Sequence, residues 1–248
     1  MRILLSGLNG HMGAEVAKLC AEGFRGAELT AGVDYMNQTA AVPCAPDFRS
    51  AETDVDCIVD FSHHSCTADM LAFAVKNRLP LVIATTGQTD EELAAIHAAA
   101  KEIPLFLAAN YSVGVALLIE MAKKVAAAMP EAEIEIIEKH HDRKVDAPSG
   151  TALAIARAIQ TVRPEATLAL GRSGMGKRTK EEIGIHAVRM GNLAGEHEVL
   201  IGTNNQTITL KHETHNRALF AEGALAAAAF LQGKGPGLYN MQSMLADE

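Results

Sequence analysis

Up to about residue 110, short aliphatic runs alternate with longer segments of helical pattern. The aliphatic runs end in Gly, Asp, Ser or Asn, and they read RILLSG, AELTAGVD, DCIVDFS, LPLVIATTG and IPLFLAAN. Runs of this length and composition are typical of strands buried on both faces. The segments between them read HMGAEVAKLCAEG, TADMLAFAVKNR and DEELAAIHAAAKE, the last with Thr89 in the N-cap position. The alternation predicts a parallel sheet with helices on both faces.

From about residue 112 the pattern changes. A long helical run, SVGVALLIEMAKKVAAAM, leads to EAEIEIIE, which alternates acidic and aliphatic residues as a half-exposed strand does. A helix at SGTALAIARAIQ and three further strands at IGIHAVRM, EHEVLIG and QTITLKHE follow, with TNN as the turn of a hairpin. We predict that this region is an α+β domain with a mixed sheet, and that RALFAEGALAAAAFLQG forms a final helix.

Composition narrows the function classes. The chain has 248 residues, 48% hydrophobic residues and a net charge of −8, which disfavours nucleic acid and anionic membranes as partners. Its cysteines form no C-x-x-C pair, as in a reduced cytosolic protein. The apolar run at the start is too short for a signal peptide, and no stretch approaches the roughly 18 apolar residues of a membrane span. We expect a soluble cytoplasmic protein.

The segment SGLNGHMG lies at the first junction between a strand and a helix. Its glycines, Gly7, Gly10 and Gly13, follow the pattern G-x-x-G-x-x-G. Residues without Cβ atoms let a pyrophosphate approach the N–H groups at a helix start. Asp34, at the end of the second predicted strand, can accept hydrogen bonds from ribose hydroxyls. The pairing predicts a Rossmann-type dinucleotide-binding sheet, whereas the glycines alone would also suit a ligand-free turn.

Polar residues also follow the fourth and fifth predicted strands, at Thr85, Thr86, Asn110 and Tyr111. Because ligands of doubly wound sheets bind at the carboxyl ends of the strands, these residues are candidates to line a nicotinamide. The Asp34 carboxylate would repel a 2′-phosphate. We therefore favour NADH as cofactor, with NADPH also usable.

Residues 138–152, EKHHDRKVDAPSGTA, concentrate polar chemistry in one connector. Ser149 is in N-cap position, and Gly150 and Thr151 enter a helix. A helix start with free N–H groups and hydroxyls binds anions, and Lys144 adds positive charge. This second anion site suits a substrate carboxylate, although PSGT by itself indicates only a capped helix.

Two adjacent histidines, His140 and His141, precede that turn. Neighbouring positions on a strand are poor chelators, and no metal motif is present, so we expect no metal. General acid catalysis fits better, because a hydride transfer needs a matching proton. His140 and Lys144 are the candidates to deliver it, and the sequence does not choose between them.

The segment Glu135–Ala152 resembles the signature of the 4-hydroxy-tetrahydrodipicolinate reductase family, also called dihydrodipicolinate reductase. It contains E-x-x-E-x-H-H-x-x-K-x-D-x-P-S-G-T-A in full. Further similar segments are GLNGHMG, ATTG, AANYSVG, IGIHAVRMGNLAGEHEV and FAEGALAAAAFL, so the resemblance extends over the whole chain.

The resemblance implies an NAD(P)H-dependent reduction of hydroxy-tetrahydrodipicolinate, a small dicarboxylate, in lysine and diaminopimelate biosynthesis. It implies a dinucleotide-binding domain at residues 1–111 and 218–248, completed by a returning C-terminal helix, and a substrate-binding and oligomerisation domain at residues 112–217. It also implies a homotetramer. The family's positions for proton transfer correspond to His140 and Lys144, and those for substrate to His141, Gly150, Thr151 and Arg217. Its cofactor positions correspond to Gly7, Leu8, Asn9, Gly10, His11, Met12, Asp34, Ala84, Thr85, Thr86, Ala108, Ala109, Asn110 and Tyr111.

Two rival functions stay open at this point. One is a two-domain dehydrogenase that acts on a different small acid, and the other is a nucleotide sensor without activity. The complete His-His-Lys-Ser-Gly-Thr set argues against both.

Overall fold

The computed structural model describes residues 1–36 and 41–246, and the chain divides into two compact units. The first unit comprises Met1–Ser112 and Ala218–Glu248, and the second comprises Val113–Arg217. Each unit contains its own sheet and its own hydrophobic core.

The first unit begins with β1 (Arg2–Ser6), α1 (His11–Ala21), β2 (Glu28–Val33), β3 (Cys44–Ala45), β4 (Cys57–Asp60), α2 (Thr67–Asn77), β5 (Leu81–Ile83), α3 (Asp90–Ala99) and β6 (Pro104–Leu107). The second unit contains α4 (Val113–Ala128), β7 (Glu133–His140), α5 (Gly150–Gln160), β8 (Thr167–Leu170), β9 (Glu182–Arg189), β10 (Glu196–Thr203) and β11 (Gln206–Glu213). The chain returns to the first unit with α6 (Ala218–Leu231), β12 (Gly237–Tyr239) and α7 (Met241–Ala246).

The sheet of the first unit is parallel throughout, with strand order β12-β6-β5-β4-β1-β2-β3. Helices α2 and α3 pack on one face, against side chains such as Leu4, Ile58 and Leu81. Helix α6 packs with α1 and contacts β4, β5 and β6. The predicted parallel sheet is therefore confirmed. Thr89 caps α3 as expected, since its side chain accepts a hydrogen bond from the Glu92 N–H.

The sheet of the second unit is mixed, in the order β11-β10-β7-β9-β8. Strand β10 is antiparallel to β7 and β11, whereas β9 is parallel to β7 and β8. Helices α4 and α5 pack on the face that carries Ile134, Ile136 and Val199. The mixed sheet and the hairpin are confirmed. Thr203 pairs with Gln206, so the turn itself is only Asn204 and Asn205.

The sequence did not predict β3, β8, β12 and α7. Strands β3 and β12 contain two and three residues, which is too short for a periodic pattern. Strand β8 lies at the sheet edge and is exposed or half-buried along its length. These strands are defined by their hydrogen-bonded neighbours and not by their own composition.

Candidate active site

The loop between β1 and α1 contains two glycines that have no room for a side chain. Gly7 has φ +82°, and a Cβ there would lie 2.5 Å from the Phe61 carbonyl oxygen. A Cβ on Gly13 would lie 2.3 Å from the Gly7 carbonyl oxygen. Gly10 is less constrained, because its Cβ would come no closer than 3.3 Å to that same oxygen. Gly7 and Gly13 therefore allow the loop to fold back on itself.

Helix α1 starts beside this loop without a side-chain cap. Its N-cap is Gly10, and no acidic residue lies in its first turn, which suits an anion. The largely buried Asp34 carboxylate follows β2 and accepts hydrogen bonds from the Asn9 and Met36 N–H groups, each at 2.9 Å. Asn9 Nδ2 is buried and bonds to no group in the described part of the chain. Asp34 thus holds the loop against the strand.

A cavity of about 390 Å³ lies over the carboxyl ends of β1, β2 and β4. Gly7, Gly10 and Asp34 line it, together with the aromatic residues Phe48 and Phe61. Backbone N–H groups suit a pyrophosphate, a carboxylate suits ribose hydroxyls, and aromatic side chains suit a planar base. The residues present therefore fit a dinucleotide.

The remaining predicted cofactor residues lie beside this cavity or along the same edge of the sheet. Leu8 is buried and packs against Gly32, His11 is exposed and Met12 is half-buried. Ala84, Thr85 and Thr86 follow β5, and Ala108, Ala109, Asn110 and Tyr111 follow β6.

The Tyr111 side chain has a structural position among these residues. It is buried, and its hydroxyl lies 2.7 Å from the Ile83 carbonyl oxygen. Its phenol therefore links β5 to the segment after β6.

In the second unit, the connector runs from the end of β7 to the start of α5. Ser149 is the N-cap of α5, as predicted, and its Oγ accepts a hydrogen bond from the Ala152 N–H at 3.2 Å. The same Oγ lies 3.0 Å from Nε2 of the buried His197. A Cβ on Gly150 would meet no atom within 4 Å, so there is open space beside the first residue of α5. The Gly150 N–H donates to Asp146, which helps to lower the pKa of that carboxyl.

Glu138 is the centre of a hydrogen-bonded cluster at the end of β7. Its side chain is fully buried. Oε2 lies 2.6 Å from His140 Nδ1, and Oε1 accepts the Ser149 N–H at 3.0 Å. Arg189 donates to both oxygens, at 2.8 and 2.7 Å.

The charge of Glu138 follows from these contacts. Burial alone would raise the pKa of Glu138, but the hydrogen bonds from His140, Arg189 and Ser149 lower it to about 2. Because the carboxylate is ionised and only accepts hydrogen bonds, the proton of a neutral His140 ring resides on Nδ1. Nε2 is then the atom of His140 that can exchange a proton with a ligand.

The other predicted substrate residues lie beyond the end of β7. Burial, together with the positive charges of Arg143 and Arg217, lowers the pKa of His141. His141 is therefore neutral at pH 7, and the exposed Arg217 acts on it electrostatically. The Nδ1 atom of His141 is buried, with no hydrogen-bond partner among residues 1–36 and 41–246. Lys144 Nζ forms an ion pair with Asp146 Oδ1 at 2.7 Å.

Sequence reasoning missed Glu138, Arg189 and His197 as members of this cluster. A signal was present for two of them. In β7 the even positions Ile134 and Ile136 are buried, and Glu138 continues that parity. In β10, His197 shares its parity with the buried Val199. A charged or polar residue on the buried face of a strand needs a hydrogen-bonding partner. The alternation of buried and exposed positions along the strand identifies such a residue before its partner is known.

Within the described residues, no group of three or more His, Cys, Asp or Glu side chains is arranged to hold a metal ion. No helix of residues 1–36 or 41–246 combines the length and apolar character needed to cross a membrane.

A cavity that fits a dinucleotide on a parallel sheet and an imidazole–carboxylate cluster on a mixed sheet are typical of a nicotinamide-dependent oxidoreductase. Family models agree with this class. The model described as dihydrodipicolinate reductase, N-terminus, matches residues 1–111, and the one described as dihydrodipicolinate reductase, C-terminus, matches residues 114–245. The chain belongs to the dihydrodipicolinate reductase family, which confirms the resemblance found in the sequence.

Individual relatives cover the whole chain. The 4-hydroxy-tetrahydrodipicolinate reductase of Caldanaerobacter subterraneus subsp. tengcongensis is 43% identical over 99% of this chain and 98% of its own length. The 4-hydroxy-tetrahydrodipicolinate reductase of Clostridium tetani is 41% identical over 99% of this chain and 97% of its own length. Among solved structures, a dipicolinate-bound dihydrodipicolinate reductase from Paenisporosarcina sp. TG-14 superposes with a TM-score of 0.81, at 28% identity over 97% of each chain.

Proposed function

We propose that this chain catalyses the NAD(P)H-dependent reduction of 4-hydroxy-tetrahydrodipicolinate to tetrahydrodipicolinate, with loss of water, in diaminopimelate and lysine biosynthesis. The names of its relatives support the reaction, and the dipicolinate bound by the Paenisporosarcina enzyme supports a dicarboxylate substrate. The observation that carries the proposal is the connector of the second unit, where Glu138 joins His140 to the start of α5.

In this proposal the connector binds the two carboxylates of the substrate. The start of α5 at Ser149, Gly150 and Thr151 receives one of them, because the positive end of the helix dipole and the Ser149 and Thr151 hydroxyls suit an anion. The Ser149 N–H itself is donated to Glu138. His141, which is neutral at pH 7, and Arg217 provide donors for the other, since a guanidinium can pair with a carboxylate through two parallel hydrogen bonds.

His140 and Lys144 are the groups proposed to deliver the proton that accompanies reduction. Glu138 retains a proton on His140 Nδ1, so Nε2 can release a second one and take it back from solvent. The Lys144 ammonium carries its own protons and is held by Asp146. Variants of each residue are needed to assign the step.

The proposed dinucleotide-binding domain is residues 1–111 and 218–248, and residues 112–217 form the proposed substrate-binding domain. NAD(P)H, when bound, supplies the hydride. The segment from Gly7 to Met12 would hold its pyrophosphate against the start of α1, and Asp34 would accept hydrogen bonds from a ribose. Ala84–Thr86 and Ala108–Tyr111 would lie at the nicotinamide end.

We propose NADH as the preferred cofactor, with NADPH also accepted. The Asp34 carboxylate would repel a 2′-phosphate on the ribose. The next residue, Tyr35, is uncharged, and neither Lys nor Arg occurs among the described residues that line the cavity.

We further propose a cytoplasmic homotetramer assembled through the second domain. Cys20, Cys44, Cys57 and Cys66 are free thiols, which suits a reducing compartment. In the described part of the second unit, α4 and α5 both pack on one face of the sheet, and the opposite face, with Ile137 and Leu200, carries no helix. Sedimentation equilibrium would give the mass of the assembly and test this proposal.

The reaction is tested by following the absorbance of NADH and of NADPH with freshly generated substrate. We expect oxidation of both cofactors, a higher kcat/KM with NADH, and inhibition by dipicolinate. Binding of NADH without oxidation would indicate a nucleotide sensor instead. Oxidation with other small acids but not with this substrate would indicate a different dehydrogenase.

A further inference from the structure

We infer that Glu138 is a positioning residue that fixes the orientation of the His140 ring and, through the same carboxylate, the start of α5. This inference rests on the proposed role of His140 in proton transfer. It assigns a function to a residue that contacts the reacting group without being the proton donor itself.

The four hydrogen bonds to Glu138 occupy both of its oxygens. Oε1 accepts from the Ser149 N–H and from Arg189, and Oε2 faces His140 Nδ1 and the other nitrogen of the guanidinium. The carboxylate therefore links three segments: the end of β7, the end of β9 and the N-cap of α5. Any movement of Glu138 would move the imidazole and the anion-binding turn together.

The His140 ring has a second neighbour in β10. The His197 ring packs edge-on against His140, with ring centroids 5.2 Å apart. Gly195 leaves space beside His140 Nε2, since a Cβ there would lie 3.1 Å from that atom. The ring is thus held by Glu138 at Nδ1 and by His197 along its edge. Its orientation follows from these contacts and not from the strand alone.

The charged side chains around Glu138 and His140 also bond to Asp146. Arg189 also donates to the Asp146 carbonyl oxygen, and Lys144 pairs with the Asp146 carboxylate. Burial, with a smaller effect of His140, lowers the pKa of His197 to about 4, so His197 is neutral at pH 7. Among the described residues, Glu138 is the carboxylate that bonds to His140.

An amide cannot replace this carboxylate. In Glu138→Gln, the side-chain oxygen can still accept the Ser149 N–H, but the NH₂ group then faces His140 Nδ1. Since that NH₂ only donates, Nδ1 must become the acceptor and the proton must move to Nε2. The ring would then be held in the wrong tautomer, and a doubly protonated ring would lose its acceptor. The serine protease triad responds to the same acid-to-amide change with a large loss of kcat at nearly intact geometry.

The first experiment compares Glu138→Gln with the wild-type enzyme. We expect kcat to fall by about a hundredfold, the lower end of the contribution of general acid–base catalysis. The inhibition constant for dipicolinate should change by less than about threefold, because the Ser149 N–H keeps its acceptor. The solvent deuterium isotope effect on kcat should increase as proton transfer becomes slower. A purely structural role of Glu138 would not change that isotope effect.

Glu135→Gln is the matched control, because Glu135 lies on the same strand and also pairs with a histidine and an arginine. Its Oε2 is 2.9 Å from His186 Nε2, and its Oε1 is 3.5 Å from Arg178 Nε. It contacts neither His140 nor the connector in the hydrogen bonds described. We expect wild-type kcat and isotope effect for Glu135→Gln. Because Glu135 lies on the same sheet face as Ile137, the assembly mass of this variant is measured alongside.

Glu138→Gln leaves the Arg189 guanidinium without its carboxylate partner, which should lower the stability of the fold. This loss of stability must be separated from a loss of catalytic function. The charge-balanced variant Glu138→Gln/Arg189→Gln serves this purpose. We expect it to recover thermal stability towards the wild type while kcat stays low. Recovery of wild-type kcat in the double variant would mean that Glu138 is only half of a salt bridge, and would overturn the inference.

His140→Gln separates the proposed role of His140 in proton transfer from the inferred positioning role of Glu138. If His140→Gln is slow and Glu138→Gln turns over like the wild type, the positioning role is wrong and the proposed function stands. If His140→Gln itself has wild-type kcat, the proposed role of His140 is wrong.

Discussion

The two candidate binding sites of this chain use opposite physical means. The loop between β1 and α1 requires residues without side chains, since Gly7 and Gly13 have no space for a Cβ. Its binding groups are backbone N–H donors. The connector after β7 depends on charged side chains, with Arg189 and His140 bonded to the buried Glu138 carboxylate.

The difference predicts two kinds of sensitivity. A site made of backbone responds to added volume and hardly to pH, because peptide groups do not titrate in the ordinary range. A site made of buried ionisable groups responds to the loss of a charge or to a change of protonation. The contrast is useful because a variant in either site should leave ligand binding in the other unit intact.

Removal of the Lys144 ammonium should have the largest effect. We expect Lys144→Ala to lower kcat by about a thousandfold, because a positioned proton donor contributes 10²–10⁴-fold. Nucleotide affinity, measured by the fluorescence of bound NADH, should stay nearly unchanged. Lys139→Ala is the control, since Lys139 is the nearest lysine in sequence and pairs with Glu196. Wild-type turnover of Lys144→Ala would remove this residue from the mechanism.

Addition of one methyl group to the glycine loop should have the next largest effect. In Gly13→Ala, the new Cβ would overlap the Gly7 and Leu8 carbonyl oxygens, at 2.3 and 2.4 Å. Overpacking of this kind costs about 2–3 kcal/mol, so we expect about hundredfold weaker NADH binding. Dipicolinate binding by calorimetry should not change.

Gly235→Ala is the control for that variant, because a Cβ there would meet no atom within 4 Å and Gly235 does not line the cavity. It should bind NADH within a few-fold of the wild type. Wild-type affinity in Gly13→Ala would show that this overlap does not affect the bound nucleotide.

Acidification should destabilise the connector through His197. Its pKa is about 4 in the folded chain, because burial disfavours the charged ring, and near 6.5 when unfolded. Between pH 6.5 and 4 the unfolded state therefore takes up a proton that the folded state does not. The free energy of unfolding should fall by about 2 kcal/mol from pH 7 to pH 5 through this group.

Urea unfolding followed by circular dichroism at both pH values measures this loss. His197→Gln should lose less stability between pH 7 and pH 5 than the wild type. His97→Gln, at an exposed position of α3, should retain the full pH dependence. An equal loss of unfolding free energy between pH 7 and pH 5 in all three proteins would contradict the assignment of this pH dependence to His197.

Replacement of the Asp34 carboxylate should have the smallest effect, on cofactor choice. We expect Asp34→Asn to raise the ratio of kcat/KM with NADPH to that with NADH by about tenfold, because a nearby negative charge no longer opposes the 2′-phosphate. Glu28→Gln, at the exposed start of the same strand, should leave the ratio unchanged. An unchanged ratio in Asp34→Asn would mean that Asp34 does not face the ribose 2′ position.

Much of the fold could be read from local pattern. The longer strands and helices, the caps at Thr89 and Ser149 and the parallel and mixed sheets were all predicted, since periodicity, capping residues and alternation act over a few neighbouring positions. Short elements such as β12 were missed for the same reason, because their stability comes from the strand beside them.

The sequence by itself determined the glycine loop, the acid after β2 and the order of polar groups in the connector. Only the tertiary structure decided that Arg189 and His197 meet Glu138, because that contact requires β9 and β10 to flank β7 in one register. The physical reason is that backbone preferences are local, whereas the partner of a buried charge is chosen by strand order and burial across the sheet.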